Sequence, residues 1–495
     1  MQKVQLLYAA NATTELDGIT AQHLYFLMQV KNLAFSKQID IFWCGTDGEW
    51  HSLPAAFHSM SSEDVECWGA SVTLTSSVND PLPGNIWFAL CYRVNGEEHW
   101  DNNEGHDYFT PVGASLQCGA FNGILNIGFR PRLEQGQRRV AVTVHVPSCV
   151  LMVSIHWTTD DWKNINLTPC RLGPSLVVER GEEIIDKGAQ LWETQLEIGS
   201  VYRLQYCICY ETDEGILWEN NGGGNYVATR KPLNVLALNL HCRQEDDQDY
   251  KFTQIAKAID ELEVDVVCLQ EVAEDWNDAK GNWASNSVRI INDRLNEPCH
   301  IHTDWAHLGF DRYREGVAIL SRYPITEYDA RFLSKSRDPF SISTRKAVMG
   351  RICVPYFGMI NVFSVHLSWW ADGFAHQFQN LQDWAEQKQT DEVGGTLLCG
   401  DFNNRAGSIG YELIVNSDAY DDEFLSVTSP DIFAKIFRHR RKNWRRYLDG
   451  DGRIDYVFRG RSSAFRATGA RFIFTPAEYG RVSDHEGLLV TFEPI

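Results

Sequence analysis

The stretch NVLALNLHCRQEDDQDYKFTQIAKAIDELEVDVVCLQE, Asn234–Glu271, decides the architecture of the C-terminal half. It opens on apolar residues running towards Asn239. Phe252, Ile255, Ile259 and Leu262 then recur at helical spacing on one face, and Val266–Leu269 is a short apolar run suited to a buried strand. Strand, helix and strand in this order predict an α/β unit, with Asn239 and Glu271 delivered to one edge by two strand ends.

Downstream, apolar strands keep ending on polar residues. His366 closes VFSVHL, Asp401 and Asn403 lie in LLCGDFN, Asp455 in RIDYVF, and Asp484 and His485 in SDHEG. Carboxylates, amide carbonyls and water suit a hard divalent ion such as Mg²⁺, with Mn²⁺ the alternative, better than zinc. One such motif can be a turn or a satisfied core histidine; the ordered set is far more specific.

That set resembles the endonuclease/exonuclease/phosphatase superfamily, which includes DNase I, abasic-site endonucleases, inositol-phosphate phosphatases and bacterial sphingomyelinases. The resemblance covers residues 231–495 and implies a four-layer α/β sandwich that cleaves P–O bonds. It implies Glu271 as the main metal ligand, aided by Asn239 and Asp484. Asp401 and Asn403 would orient the attacking water, while His485, paired with Asp455, and His366 would bind phosphate and assist proton transfer. Tyr313, Arg314 and Glu315 match a loop that reaches the phosphate in that family, and Arg345 is a looser candidate. His241 stands where several nucleases place an aspartate.

Substrate class is read from HLSWWADGFAHQFQNL, His366–Leu381, where Trp369 and Trp370 follow the histidine. The run resembles that of bacterial maltose 6'-phosphate phosphatases of this superfamily. Two rings beside a phosphate site suit a sugar, because aromatic faces stack on pyranose rings. The expectation is hydrolysis of a phosphomonoester of maltose or a related α-glucan oligosaccharide. A DNase I-like endonuclease and a sphingomyelinase-like phosphodiesterase are the alternatives.

The first 230 residues contain an internal repeat. FALCYRVNGEEHWDNNEGHDY from Phe88 overlays LQYCICYETDEGILWENNGGGNY from Leu204, and IDIFWCGTDGEW from Ile39 overlays VSIHWTTDDW from Val153. Short alternating strands between turn residues predict two β-sandwich modules, residues 1–116 and 117–230, divided near residues 110–125. NLAF at Asn32–Phe35 and WDNNEGHDY at Trp100–Tyr108 resemble the starch- and glycogen-binding module of carbohydrate-binding family 21. The resemblance implies binding of glycogen, starch or maltodextrin through Trp43, Trp100, Asn102 and Asn103 in the first copy. In the second copy it implies Trp157, Trp218, Asn220 and Asn221.

Composition limits the partners. The net charge is −21 and both halves are acidic, so neither offers the basic field that neutralises a long run of nucleic-acid phosphates. The one dense basic stretch is FRHRRKNWRRY, Phe437–Tyr447, read as a solvated loop. No run approaches a membrane span, and the opening residues lack a secretory pattern. Thirteen cysteines without a CxxC pair, five of them (Cys91, Cys207, Cys209, Cys268 and Cys399) in apolar runs, predict buried free thiols and a reducing, cytoplasmic setting.

Overall fold

The computed structural model describes residues 2–495 except 17–18, 63, 77–80, 118–123, 127–128, 148–149, 174–178, 181–182, 185–188, 278–279 and 310–311. The chain divides into two compact units, Met1–Lys231 and Pro232–Ile495. Among the described residues, no helix is long and apolar enough to cross a membrane.

In the first unit, the sheet Ala114–Gln117, Val4–Leu16, Ile19–Lys31, Val65–Thr75, Ala56–Ser62 faces a second sheet. That second sheet comprises Trp50–Pro54, Lys37–Cys44, Ile86–Val94 and Glu97–Asp101, with Tyr108–Thr110 also paired to Ile86–Val94. Their inward residues, among them Leu6, Phe26, Met28, Ile39, Ile41, Phe88 and Leu90, make one core. A second pair of sheets, built on Arg139–Pro147 with Ala189–Glu197 and on Val150–Thr158 with Arg203–Thr212, encloses its own core. The division expected near 110–125 falls partly outside the described residues.

The repeat is preserved in register. Trp43 pairs with Phe88 and Trp157 with Tyr206; Cys91 pairs with Trp100 and Cys209 with Trp218. Phe88 stacks on Tyr108 as Tyr206 stacks on Tyr226. The tyrosine hydroxyls donate to Asp101 at 2.8 Å and Glu219 at 2.9 Å. Of the five cysteines expected to be buried, Cys209 is only half-buried; all five thiols are free.

His58 is buried in this unit, with its ring edge-on to Phe129 at 5.5 Å and Nε2 unpartnered. Burial pushes its pKa down from 6.5 to about 4. The unfolded chain therefore takes up the proton more readily, so stability is complete above about pH 6.5 and falls as the pH drops towards 4. Calorimetry of the full chain between pH 7.5 and 4.5 should show the N-terminal unit losing up to about 3 kcal/mol, and His58→Gln should flatten that dependence.

The second unit is a helix–sheet–sheet–helix sandwich. Its first sheet runs His300–Gly309, Tyr313–Ser321, Val266–Asn277, Leu233–Asn239, Gly487–Pro494, Phe465–Ile473, with Lys280–Gly281 hairpinned on Val266–Asn277. The second runs Ile325–Phe332, Lys346–Val354, Gly358–His366, Val393–Asp401, Asp455–Gly460, Tyr420–Asp422. Leu233–Asn239 is parallel to Val266–Asn277, and Gly358–His366 to Val393–Asp401. Each parallel pair is joined through a helix, as parallel connection requires.

Helix Gln248–Glu261 buries Phe252, Ile255, Ala256, Ala258 and Ile259 against the first sheet. Helix Phe374–Lys388 buries Phe374, Phe378, Leu381, Trp384 and Ala385 against the second. Because helices cover the outer faces, the inner strands are buried on both sides and read as continuous apolar runs. Between the sheets, Gln270 Nε2 donates to Ser364 Oγ at 3.1 Å, and that hydroxyl donates to the Leu269 carbonyl at 3.1 Å.

Candidate active site

Strand register builds the site. His366, Asp401 and Asp455 are direct partners across three neighbouring strands and form one row at the sheet edge. On the other sheet, Asn239 sits opposite Gln270, one residue before Glu271. Pairing shifts between Leu269 and Val272, and Glu271 takes φ +51 in this irregularity. His241 (φ +45) and Asn403 (φ +50) are also left-handed, a conformation that costs non-glycine residues energy and clusters where side chains must be aimed.

The side chains converge. Asn239 Nδ2 donates to Glu271 Oε1 at 3.0 Å and Asp401 Oδ2 at 3.1 Å. His485 Nδ1 lies 2.7 Å from Asp455 Oδ2, and His366 Nε2 lies 3.6 Å from Asp401 Oδ2. The Asn403 backbone N–H donates to Asp401 Oδ1 at 2.7 Å, while its side-chain amide donates to the Leu367 carbonyl at 2.8 Å. Asn403 thus holds the loop that carries Asp401. Asp484 is half-exposed, 3.5 Å from His241 Nδ1, which also contacts Glu245 at 2.7 Å.

The electrostatics are those of crowded carboxylates. Burial, then the Asp455 carboxylate, push Asp401 up to about 7. Burial, then Glu271, do the same for Glu315. Burial disfavours a charged His485, but Asp455, Asp401 and Asp484 outweigh it and raise its pKa to about 9. Burial, then Arg345, hold His366 well below the usual imidazole range. The two histidines therefore differ near neutrality, His485 cationic and His366 neutral.

These donors fit a divalent cation. Among the described residues Asp455 Oδ1 is buried with no hydrogen-bond partner, and the Asp401 and Asp455 carboxylates lie side by side. Asp484 offers a carboxylate oxygen within 4.8 Å of ligand atoms of His241 and Glu245, while the cationic His485 is a donor to this group and not a ligand. Oxygen donors packed this closely repel one another unless a cation is shared.

Arg314 is not brought to this cluster. It pairs with the buried Glu274 carboxylate at 2.6 Å and lies over the Trp276 and Trp305 rings. In the residues after Arg314, Glu315 is buried beside His307 Nε2 at 3.4 Å. Tyr313 is buried in the core between helix Gln248–Glu261 and the first sheet of this unit, its hydroxyl raised to about 12 by burial and then by the nearby Glu315 and Glu271 carboxylates. Trp369 and Trp370 are half-exposed just beyond His366. In the basic stretch, Arg438, Arg440 and Arg445 are tied to Asp421, Asp418 and Glu412, and Trp444 is buried.

In the first unit, Trp43 and Trp157 are corrected from sugar platforms to core: only 6% and 9% of their surfaces are exposed. Trp100 and Trp218 are half-exposed. Asn102 Oδ1 accepts from the Gly105 N–H and Asn103 Nδ2 donates to the Asp107 carbonyl, so both hold the turn after Trp100. Asn220 and Asn221 repeat these contacts with Gly223 and Asn225. Asn221 Oδ1 also accepts from the Met60 N–H at 2.6 Å, which leaves little of its amide for a sugar.

Phe42, Trp50, Ala89, Trp100, Asn102 and Asp107 line a groove of about 290 Å³. Phe42 and Trp50 escaped the motif because they lie upstream of it. In the second copy, the residue aligned with Phe42 is His156, its ring edge-on to Trp218 at 4.7 Å.

The profile of the Endonuclease/Exonuclease/phosphatase family matches residues 236–485, about half of the chain. That of the Carbohydrate/starch-binding module (family 21) matches twice, at 5–110 and 135–229. Protein phosphatase 1 regulatory subunit 3E of Mus musculus is 36% identical over 83 residues, 16% of this chain and 28% of that protein. Subunit 3B of Danio rerio is 32% identical over 94 residues, again 16% and 28%. The chain thus spans under a third of the length of these curated relatives. A solved endonuclease/exonuclease/phosphatase family protein from Leptotrichia buccalis C-1013-b is 24% identical with a TM-score of 0.44, covering 53% of this chain and 99% of that one. A mannosyl-6-phosphatase from Bacteroides thetaiotaomicron VPI-5482 is 15% identical with a TM-score of 0.38, covering 53% and 99%.

Proposed function

We propose, from the premise that this chain belongs to the endonuclease/exonuclease/phosphatase family, that it hydrolyses a phosphomonoester of maltose or a related α-glucan oligosaccharide. The observation that carries the sugar assignment is the pair of half-exposed rings, Trp369 and Trp370, immediately beyond His366. The match to family-21 modules supports the same reading, since modules of that description bind carbohydrate or starch.

Glu271, Asn239 and Asp484 would hold Mg²⁺, or Mn²⁺ in its place. Such an ion neutralises phosphate charge and activates water. Asp401, its proton affinity raised by burial, accepts the proton of the attacking water, whose oxygen forms the new bond to phosphorus. The ester P–O bond breaks, and His485, held cationic by Asp455, donates its proton to the leaving sugar oxygen. His366 donates from Nε2 to a phosphoryl oxygen. Inorganic phosphate and the free sugar are the products.

Phosphate release over a panel of maltose 6'-phosphate, glucose 6-phosphate, plasmid DNA and sphingomyelin tests the assignment. Maltose 6'-phosphate should be preferred, and Trp370→Ala should raise its KM far more than that for p-nitrophenyl phosphate. Efficient, salt-sensitive plasmid cleavage without phosphate release from the sugar ester would instead indicate a nuclease.

The two modules differ in their exposed aromatics. Trp100→Ala should weaken retention on amylose by about tenfold or more, since a buried aromatic anchor can carry around 2 kcal/mol. Trp218→Ala should change it less than about twofold. Affinity electrophoresis of both variants checks this, and equal effects would mean that the second copy is an equal partner.

A further inference from the structure

Arg345 is positioned as an anion site rather than as half of an ion pair. Its backbone N–H donates to Ser334 Oγ at 2.9 Å, and its Nε donates to Ser368 Oγ at 3.3 Å. Ser368 is buried and doubly held by buried Gln377, which accepts from the Ser368 N–H and donates to its hydroxyl, each at 2.9 Å. Glu315, Asp401, Glu271 and Asp372 all act on the guanidinium, yet among the described residues none is close enough to form an ion pair with it. A cation left unpaired amid carboxylates is a site for an anion that arrives with its own counter-ion.

Arg345 also fixes the neighbouring imidazole. Its Nη1 lies 3.4 Å from His366 Nδ1. A guanidinium can only donate, so Nδ1 is the acceptor and the single proton of the neutral ring sits on Nε2. That nitrogen lies 3.6 Å from Asp401 Oδ2, beside the carboxylate that the mechanism above assigns to the attacking water. Arg345 and His366 are thus adjoining donor side chains, the guanidinium with N–H groups to spare and the imidazole with its proton on Nε2.

From this geometry we infer that Arg345 selects phosphomonoesters over phosphodiesters, by binding the third non-bridging oxygen that only a monoester presents. In a diester that position carries a second organic group and the phosphate has one charge fewer, so the guanidinium gains little there. The inference rests on the phosphomonoesterase reading above, and extends it to the residue that enforces the choice.

The test uses the full chain with Mg²⁺ and the variants Arg345→Gln and Arg345→Lys. Substrates are maltose 6'-phosphate, p-nitrophenyl phosphate and bis(p-nitrophenyl) phosphate, and inorganic phosphate binding is measured by calorimetry, which needs no turnover. Arg345→Gln should lower kcat/KM for the aryl monoester on the order of 10²–10³-fold, as loss of a positioned donor does, and the diester rate less than about tenfold. Its affinity for phosphate should fall at least about tenfold, and Arg345→Lys should recover part of both losses. An equal fall on monoester and diester, or unchanged phosphate affinity in a folded variant, would overturn the inference. Wild-type activity on the aryl monoester but not on maltose 6'-phosphate would refute the sugar assignment, and the monoester–diester comparison would still decide the role of Arg345.

Discussion

Glu271→Gln should lower turnover on the order of 10³-fold while leaving the fold intact, because it removes one full negative charge from the cation's proposed cradle without changing side-chain size. Glu271 is one of two carboxylates bridged by Asn239, and the other, Asp401, already holds its proton more tightly than usual. Without the Glu271 charge, the remaining donors should bind the ion weakly. Titrating activity against Mg²⁺ should show the requirement moving to much higher concentration, and chelation should silence the wild type. Full activity after exhaustive chelation would refute the metal-assisted mechanism outright.

Asp401→Asn and His485→Ala should each reduce kcat by about 10²–10⁴-fold, with the double variant falling well short of the product. In the proposed mechanism one takes the proton from water and the other gives one to the leaving group, and both adjoin Asp455. Once one transfer fails, the second has little left to assist. Single-turnover measurements with the two single variants and the double would show this directly; strictly multiplicative losses would mean that the two groups act on separate steps.

The C-terminal half was legible because its strands end in register on chemistry. Asn239, Glu271, His366 and Asp401 each follow an apolar run and Asp455 opens one, and those runs are the buried inner strands. What the sequence hid was backbone geometry. The bulge that turns Glu271 leaves no residue signature, since a left-handed glutamate looks like any other in one dimension. Nor could spacing reveal that Arg314 lies against Glu274, forty residues upstream, or that Arg438 lies against Asp421.

In the modules, the burial of the two tryptophans is written in the alternation of their strands. Ile39, Ile41 and Trp43 alternate, as do Val153, Ile155 and Trp157, and a period of two assigns each tryptophan to the same face as its apolar partners. That face is the core. The same rule sends Phe42 outward, into the groove it shares with Trp100.

The row formed by His366, Asp401 and Asp455 restricts how this domain can be altered by descent or by engineering. Side chains alternate between faces along a strand, so one residue inserted within Val393–Asp401 would turn the whole inward set outward and separate Asp401 from both neighbours at once. Residues 367–373, 404–419 and 423–454 lie outside the strands and are free of that parity. New substrate preferences should therefore arise by lengthening, shortening or exchanging those connections, while the strands tolerate substitutions but no change in length.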